Sequence, residues 1–222
     1  EEPGPIFVLG LPRTGTTLVD RILSAHSDEI SVGEVDDMPL TLTAATAGAA
    51  NKLDRIEQAA KMDFLGFGEA YLTRLAARAT APFVVDKPPS NFLYIGIMAM
   101  AAGYAIYKTL FRMGYPYSYD LTDIGRYIAG YQRLMAHWRR VLPGRIIDIE
   151  YETLASDAEG SVRKLLAACG LRWDEACLEF HNTAGPSATA SAAQVRQPIH
   201  TRSVDSWRQL ATQLEPLRQA IV

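Results

Sequence analysis

The sequence predicts an α/β protein with a three-layer α/β/α fold and a mostly parallel central sheet. Apolar runs typical of buried strands, at 6–9, 83–86 and 145–149, alternate with segments whose apolar residues recur at helical spacing. A glycine-containing loop follows the first run, and charged residues follow the later ones. Because the carboxyl ends of parallel strands meet at one edge of a sheet, these polar residues are expected to lie close together.

The loop after the first strand, predicted over Ile6–Leu9, has the composition of a phosphate-binding loop. Residues 10–17 read Gly-Leu-Pro-Arg-Thr-Gly-Thr-Thr and enter a helix predicted over Thr16–Ala25, so that backbone N–H groups and a helix N-terminus converge on an anion. The spacing of the glycines matches a Walker A loop, but two threonines replace its Lys-Ser/Thr pair, which predicts a phosphate ligand without a metal-bridged triphosphate. A strand–turn–helix joint without a ligand is the alternative. The residues assigned to the ligand are Pro12, Arg13, Thr14, Gly15, Thr16 and Thr17, among which Arg13 supplies the positive charge.

A carboxylate is predicted at the same edge of the sheet. Glu34 follows a short β-like segment, Ile30–Val32, and is placed to face the ligand, where a carboxylate can act as a general base that takes a proton from a hydroxyl. Asp36 and Asp37 compete for this role, and a solvated acidic turn is the alternative reading.

A lysine follows the second strand, which is predicted over Phe83–Asp86. Lys87 precedes two prolines that stop the strand and fix the backbone at the lysine. An ammonium group at this position neutralises charge on a transferred group or on a leaving oxygen. A plain surface lysine is the alternative.

The second half of the chain is predicted to supply scaffold, a strand and a lid. The strand Arg145–Ile149 delivers Tyr151 to the same sheet edge, and the small, polar segment 182–197 reads as a mobile lid that carries Arg196, a candidate anion ligand, or else as a simple linker. The helices predicted here cover Asp123–Val141, Ala158–Cys169 with a left-handed cap at Gly170, Asp174–Phe180 and a terminal helix that starts near Val204.

Composition excludes several classes of protein. The chain has 222 residues, enough for a single domain, and a net charge of -3, which argues against a nucleic-acid partner. Two cysteines and four scattered histidines show no metal-ligand spacing, so we expect no metal, and the cysteines fit a reducing, cytoplasmic compartment or simply buried thiols. The apolar run Phe92–Phe111 is long enough to span a bilayer but divides into two amphipathic pieces, so no membrane span is predicted.

Taken together, these motifs resemble the sulfotransferases that use PAPS (3′-phosphoadenosine-5′-phosphosulfate). The segment 11–28 is similar to the 5′-phosphosulfate loop of the bacterial branch that is often fused to tetratricopeptide repeats, and more distantly to that of tyrosylprotein sulfotransferases. The resemblance continues over nearly the whole chain, through DKPPSNFLYIG, YKTLF, YPYSYDL, LMAHW, Tyr151-Glu152 and ATASAAQVRQP.

The resemblance implies a P-loop-like nucleotide-binding sulfotransferase fold and roles for particular residues. Glu34, Lys87 and Ser191 match catalytic positions of the family, and Tyr151 matches a residue that contacts the nucleotide. The implied reaction transfers a sulfuryl group from PAPS to a hydroxyl on a protein tyrosine, a carbohydrate or a small molecule and leaves PAP (adenosine 3′,5′-bisphosphate), without a metal. Tetratricopeptide repeats in the same full-length chain are an implied partner.

The sequence departs from the family's pattern between Gly103 and Tyr104. A core strand and a turn whose arginine binds the 3′-phosphate are missing there, and Ala105 replaces the family's serine, so that Lys108 is the remaining candidate for that phosphate. We interpret residues 1–222 as one domain from a longer polypeptide with a segment missing between Gly103 and Tyr104; a true deletion is the alternative.

Two other functions stay open on the sequence. A metal-dependent P-loop phosphotransferase would use the same loop, with Asp86 as a magnesium ligand, although the loop lysine is absent. A non-catalytic nucleotide-binding or interaction module is consistent with the missing turn.

Overall fold

A small parallel sheet lies at the centre of the fold. The computed structural model describes residues 5–59, 61–79, 81, 83–87, 116–144, 146–182 and 194–221. Strands β1 (Pro5–Phe7), β2 (Glu29–Gly33) and β3 (Phe83–Asp86) pair in parallel in the order β1-β3-β2. Phe7 and Gly33 both align with Asp86, so all three strands end at the same level. This register brings the segments that follow the strands to one edge of the sheet.

Helices surround the sheet in the described part of the chain. The first strand leads through residues 8–15 into α1, as predicted from the loop and the apolar spacing that follows it. The α-helices are α1 (Thr16–Ser24), α2 (Asp37–Ala45), α3 (Lys52–Ala59), α4 (Phe64–Ala76), α5 (Leu121–Val141), α6 (Tyr151–Ser156), α7 (Ala158–Ala168) and α8 (Glu215–Ile221). Short 3-10 turns cover Pro116–Tyr119, Glu175–Cys177, Phe180–Asn182, Gln194–Arg196, Thr201–Ser203 and Ser206–Leu210.

The two faces of the sheet pack against different helices. Ile6 and its partner Val85 join one apolar cluster with α1 and α7. On the opposite face, Phe7 stacks on Tyr71 of α4 with 5.9 Å between the ring centroids. Because neighbouring residues of a strand point to opposite faces, this alternation places helices on both sides of the sheet and gives the α/β/α layering that the sequence predicts. The buried members of the cluster are Val8, Val19, Ile22, Leu23, Val85, Leu154, Val162, Leu165, Leu166, Leu171, Cys177 and Phe180.

A second apolar cluster joins the first loop to α5 and α8. Leu11, which is 1% exposed, packs in this cluster with Ile124, Ile128 and Leu217. The close approach of α8 depends on Gly125, because a Cβ at this position would lie 2.6 Å from the Cβ of Ala220. The loop between β1 and α1 is therefore anchored by a buried leucine to the longest helix in the described part of the chain.

Several predicted elements are confirmed and others are wrong. Helix α7 is followed by Gly170 at φ 72°, the left-handed cap expected there. The predicted strand Arg145–Ile149 is wrong, since residues 146–150 pair with none of β1, β2 and β3; an apolar run becomes a strand only where a neighbouring strand accepts its backbone hydrogen bonds. Two 3-10 turns replace the helix predicted over Asp174–Phe180, and the terminal helix starts at Glu215 after two further turns.

Two other predictions concern segments that the structure does not cover fully. The run Phe92–Phe111 and the junction between Gly103 and Tyr104 lie outside the described residues. Among the helices that are described, none combines the length and the apolar character needed to cross a bilayer.

Candidate active site

The loop between β1 and α1 has the backbone of an anion cradle. Arg13 has φ 68° and Gly15 has φ 100°, so two left-handed residues flank Thr14 and curl the chain. The Thr14 hydroxyl donates a hydrogen bond of 2.7 Å to the carbonyl of Leu11, which closes the turn from inside. Left-handed residues in a tight turn direct neighbouring N–H groups into one concave space.

The helix that follows the loop adds its N-terminal donors. Gly15 is the N-cap of α1, and no side chain caps it. The Gly15 carbonyl accepts hydrogen bonds from the N–H groups of Leu18 and Val19. In helices generally, the N–H groups ahead of the first such bonds have no acceptor within the helix. The first turn of α1 contains no acidic residue, so no carboxylate of the helix competes for the positive end of its dipole.

Arg13 brings a formal positive charge to this loop. Its residue is half-buried, and burial lowers the pKa of the Arg13 guanidinium because the charged form loses contact with water. An anion held in the loop would interact favourably with that charge.

Glu34 and Lys87 form an ion pair at the same edge of the sheet. Lys87 Nζ donates to Glu34 Oε1 at 2.6 Å. The lysine side chain is 4% exposed and the glutamate side chain is 39% exposed, so a buried cation holds a carboxylate that solvent reaches. The backbone N–H of Lys87 also donates to the carbonyl of Gly33 at 3.1 Å, which fixes the two segments side by side. The structure thus brings together Glu34 and Lys87, two of the three residues that the sequence predicts as catalytic, from positions 53 apart.

The competing carboxylates are placed differently. Asp37 is 1% exposed and binds the guanidinium of Arg78 through both oxygens, at 2.5 and 3.0 Å. This ion pair holds the pKa of Asp37 below its usual range, chiefly through the hydrogen bond from Arg78. Asp36 is exposed and is the N-cap of α2. Of the three carboxylates considered from the sequence, Glu34 is the one that contacts Lys87.

Asp86, the candidate magnesium ligand of the alternative function, is hydrogen-bonded to a tyrosine. It is fully buried and accepts a hydrogen bond from the Tyr71 hydroxyl of α4. Burial raises the pKa of Asp86, and burial likewise raises the pKa of Tyr71. Within the described ranges, no group of three or more His, Cys, Asp or Glu side chains is arranged to hold a metal ion.

The remaining site residues fall into two groups. Tyr151, the first residue of α6, lies against the loop, since a Cβ at Gly15 would be 3.4 Å from its Cδ2. Arg196 is exposed on the turn Gln194–Arg196, which packs beside α1. Lys108 and Ser191 lie outside the described residues.

Sequence reasoning missed two polar pairs close to the site. Asp20 on α1 accepts a hydrogen bond from Ser31 on β2, and Tyr71 binds Asp86 from α4. A weak signal was present for the first, because Asp20 interrupts the apolar spacing of α1 and is nevertheless 8% exposed. No comparable signal marks Tyr71, whose ring fits an ordinary amphipathic helix.

The chain is similar in sequence and fold to known sulfotransferases. Residues 5–107 and 99–175 match the profile described as the Sulfotransferase family. An uncharacterized protein of Aquifex aeolicus (strain VF5) is 32% identical over 96% of this chain, and the chain spans 31% of its length. A putative protein-tyrosine sulfotransferase of Caenorhabditis briggsae is 26% identical over 91% of this chain and 80% of its own.

A solved structure shows the same fold. The sulfotransferase domain from the Synechococcus PCC 7002 olefin synthase superposes with a TM-score of 0.61 at 20% identity and covers 94% of this chain and 88% of its own. The family profile spans most of the chain, and it includes the loop, Glu34, Lys87 and Tyr151. The chain therefore belongs to the sulfotransferase family.

Proposed function

We propose that this domain transfers a sulfuryl group from PAPS to a hydroxyl acceptor, giving PAP and a sulfate ester. The observation that carries the proposal is the Glu34–Lys87 ion pair, held at 2.6 Å at the sheet edge where the loop of residues 10–15 also lies. Transfer of a sulfuryl group to a hydroxyl requires a base for the hydroxyl proton and a cation for the negative oxygens. A carboxylate and an ammonium beside an anion cradle can supply both.

The chemistry of the loop fits a phosphosulfate. The loop and the start of α1 carry hydrogen-bond donors: the N–H groups of the first turn, the guanidinium of Arg13 and the hydroxyl of Thr16. Thr16 stands where a Walker A loop has lysine, so the residues suit a single phosphate-sized anion better than a metal-bound triphosphate chain. Tyr151 lies beside Gly15 of the cradle, where its ring would lie against the nucleotide.

PAPS, when bound, supplies an activated sulfuryl group whose oxygens carry the negative charge. The protein's own residues then contribute proton transfer and stabilisation of negative charge. Glu34 accepts the proton of the acceptor hydroxyl, and its exposure leaves room for the acceptor to approach from solvent. Lys87 donates to the negative oxygens near Glu34, and Arg13 holds the phosphate side. Ser191 is proposed as a further donor from the resemblance, and Lys108 and Arg196 are proposed as further anion ligands from their charge and their place in the sequence.

A hydroxyl of a tyrosine is the first acceptor to test. Relatives from Caenorhabditis briggsae and Danio rerio carry the names putative protein-tyrosine sulfotransferase and Protein-tyrosine sulfotransferase 1. Carbohydrates and small molecules with hydroxyl groups complete the panel of acceptors to be assayed. Tetratricopeptide repeats elsewhere in the full-length protein and a cytoplasmic location stay predictions.

Ligand binding is tested first, because it does not depend on knowing the acceptor. Thermal unfolding is followed with PAP in the presence of EDTA and, separately, with ATP and Mg²⁺. At a ligand concentration of about 100 Kd the stabilisation is about 2.7 kcal/mol. We expect a rise in Tm with PAP alone; stabilisation by ATP and Mg²⁺ only would favour a phosphotransferase, and no stabilisation by either would contradict the proposal.

Transfer is then measured with radiolabelled PAPS and the acceptor panel. Glu34→Gln and Lys87→Ala are each expected to lower turnover about 10²- to 10³-fold while PAP still binds, because each removes one group that acts on charge in the transition state. Glu57→Gln and Lys61→Ala, which change exposed residues outside the site, serve as matched controls. Near-normal turnover in either site variant would refute the assigned roles.

A further inference from the structure

A buried carboxylate on α1 is hydrogen-bonded to β2, the strand that directly precedes Glu34. Asp20 is 8% exposed and its Oδ1 accepts a hydrogen bond of 2.5 Å from the Ser31 hydroxyl on β2. Asp20 lies one helical turn beyond Thr16, on the helix whose N-terminus forms part of the anion cradle. The pair therefore joins the cradle's helix to β2.

The Ser31 hydroxyl also controls the backbone next to Glu34. Its oxygen accepts from the N–H of Gly33 at 3.0 Å, and the carbonyl of Gly33 accepts from the N–H of Lys87. The pairing of β2 with β3 shifts register between Ser31 and Gly33, and Gly33 has φ 71°. Such bulges redirect the residue that follows them, here Glu34, and the serine hydroxyl holds this one in place.

The position of Asp20 is electrostatically costly. Burial raises the pKa of Asp20; the hydrogen bond from Ser31 and the charges of Lys87 and Arg21 act in the opposite direction, while the charge of Glu34 adds to the increase. The charges of both Lys87 and Glu34 thus affect the pKa of the Asp20 carboxylate. An apolar side chain at this buried position would avoid that cost, so a carboxylate here calls for a role beyond packing.

We propose that Asp20 and Ser31 are positioning residues that set Glu34 opposite Lys87 and in register with the anion cradle. The proposal rests on the proposed function for its effect on rate, and on geometry alone for its effect on the ion pair. The tie acts through a connected path: Asp20 to the Ser31 hydroxyl, Ser31 to Gly33, and Gly33 to the backbone of both Glu34 and Lys87.

The effect on rate is tested with variants of Ser31. Ser31→Ala removes both hydrogen bonds of the hydroxyl and is expected to lower kcat about 10- to 100-fold, since a misplacement of about 1 Å is enough for such a loss. The Kd for PAP is expected to stay near the wild-type value because the loop is unchanged. Ser31→Thr keeps the hydroxyl and should restore kcat. Ser24→Ala is the control, since it removes a hydroxyl of α1 that donates to the backbone carbonyl of Asp20 and leaves the Asp20–Ser31 hydrogen bond unchanged.

Stability is separated from positioning with a second variant. Ser31→Ala leaves a buried carboxylate without its donor, which destabilises the fold. The double variant Asp20→Asn, Ser31→Ala carries a neutral amide instead, and it should regain thermal stability without regaining kcat. Recovery of kcat together with Tm would overturn the proposal, because the loss would then be one of folding.

The ion pair itself gives a readout that needs no turnover. Lys87 Nζ donates to Glu34 and its side chain is 4% exposed, so an increase in its labelling by an amine-reactive acetylating reagent, read by mass spectrometry of the folded protein, reports displacement of Glu34. Labelling should rise in Ser31→Ala to about the level seen in Glu34→Ala, which has no side-chain oxygen to accept from Lys87, and stay low in Ser24→Ala. Unchanged labelling in Ser31→Ala would refute the tie. Raised labelling in a protein that neither binds PAP nor transfers sulfate would uphold the tie and refute the proposed function.

Discussion

Replacing Gly15 by alanine isolates the contribution of the anion cradle. Gly15 has φ 100°, a conformation that costs an L-residue about 1–2 kcal/mol. Alanine also restricts the unfolded chain, which returns about 0.4–1 kcal/mol of stability. Because a Cβ would lie 3.4 Å from Tyr151, an ordinary contact distance, steric clash adds little. The net loss is about 1 kcal/mol, which lowers the Tm of a domain of this size by about 2–4 °C.

The effect on PAP is expected to be larger than the effect on stability. If alanine turns one N–H group of the cradle away from the phosphate, the loss of one hydrogen bond to a charged group is about 1.5–3 kcal/mol. The Kd for PAP, measured by isothermal titration calorimetry, should then rise about 10- to 100-fold.

Gly170→Ala is the matched control for this change. Gly170 has φ 72° with open space around its Cα and lies at the end of α7, so the variant has the same kind of backbone strain outside the cradle. We expect a similar fall in Tm and an unchanged Kd for PAP. A Gly15→Ala protein that binds PAP as tightly as the Gly170→Ala protein would refute the reasoning that the turn's backbone forms the anion site.

Two further predictions concern stability. Gly125→Ala forces a Cβ to within 2.6 Å of Ala220 and should destabilise the fold by about 1–3 kcal/mol, whereas Gly130→Ala on the same helix meets only one side-chain atom, at 3.9 Å, and should be neutral or stabilising; chemical denaturation of both variants checks this. Asp86→Asn should stabilise the fold at pH 8, and the gain should shrink as the pH falls towards 4; denaturation across this range that shows no such trend would contradict it. The sign follows from the raised pKa of Asp86: the stability that it contributes is present below its unfolded pKa and is lost as the pH rises through its folded pKa.

The main elements of the site were predictable because they are local or follow from parallel topology. The loop of residues 10–17 can be read within one short segment, and its left-handed Gly15 follows from the conformational freedom of glycine. Glu34 and Lys87 are distant in sequence, yet each directly follows a strand of the same parallel sheet. Once the strands are recognised, their carboxyl ends meet, and the two side chains are brought together without any further information.

The parts that sequence reasoning missed depend on long-range partners. The segment 146–150 is apolar enough for a strand, but whether it pairs is decided by its neighbours, not by its composition. In the same way, the Tyr71 hydroxyl donates to the Asp86 carboxylate only when α4 packs on the sheet. A buried polar pair reads in sequence as two ordinary residues of amphipathic segments.

Local placement of charge explains how an acidic chain would bind a polyanion. The net charge is -3, and three carboxylates near the sheet, Asp20, Asp37 and Asp86, are buried. Each has a donor within the protein: Arg78 donates to both oxygens of Asp37, Ser31 donates to one oxygen of Asp20, and Tyr71 donates to one oxygen of Asp86. The donors of the loop and the ammonium of Lys87 instead lie at the carboxyl edge of the strands. At separations comparable with the Debye length of about 8 Å, salt screens exposed charges, so these near donors outweigh the net charge of the whole chain. Binding of PAP should accordingly weaken with Arg13→Gln far more than with the loss of an exposed arginine such as Arg126.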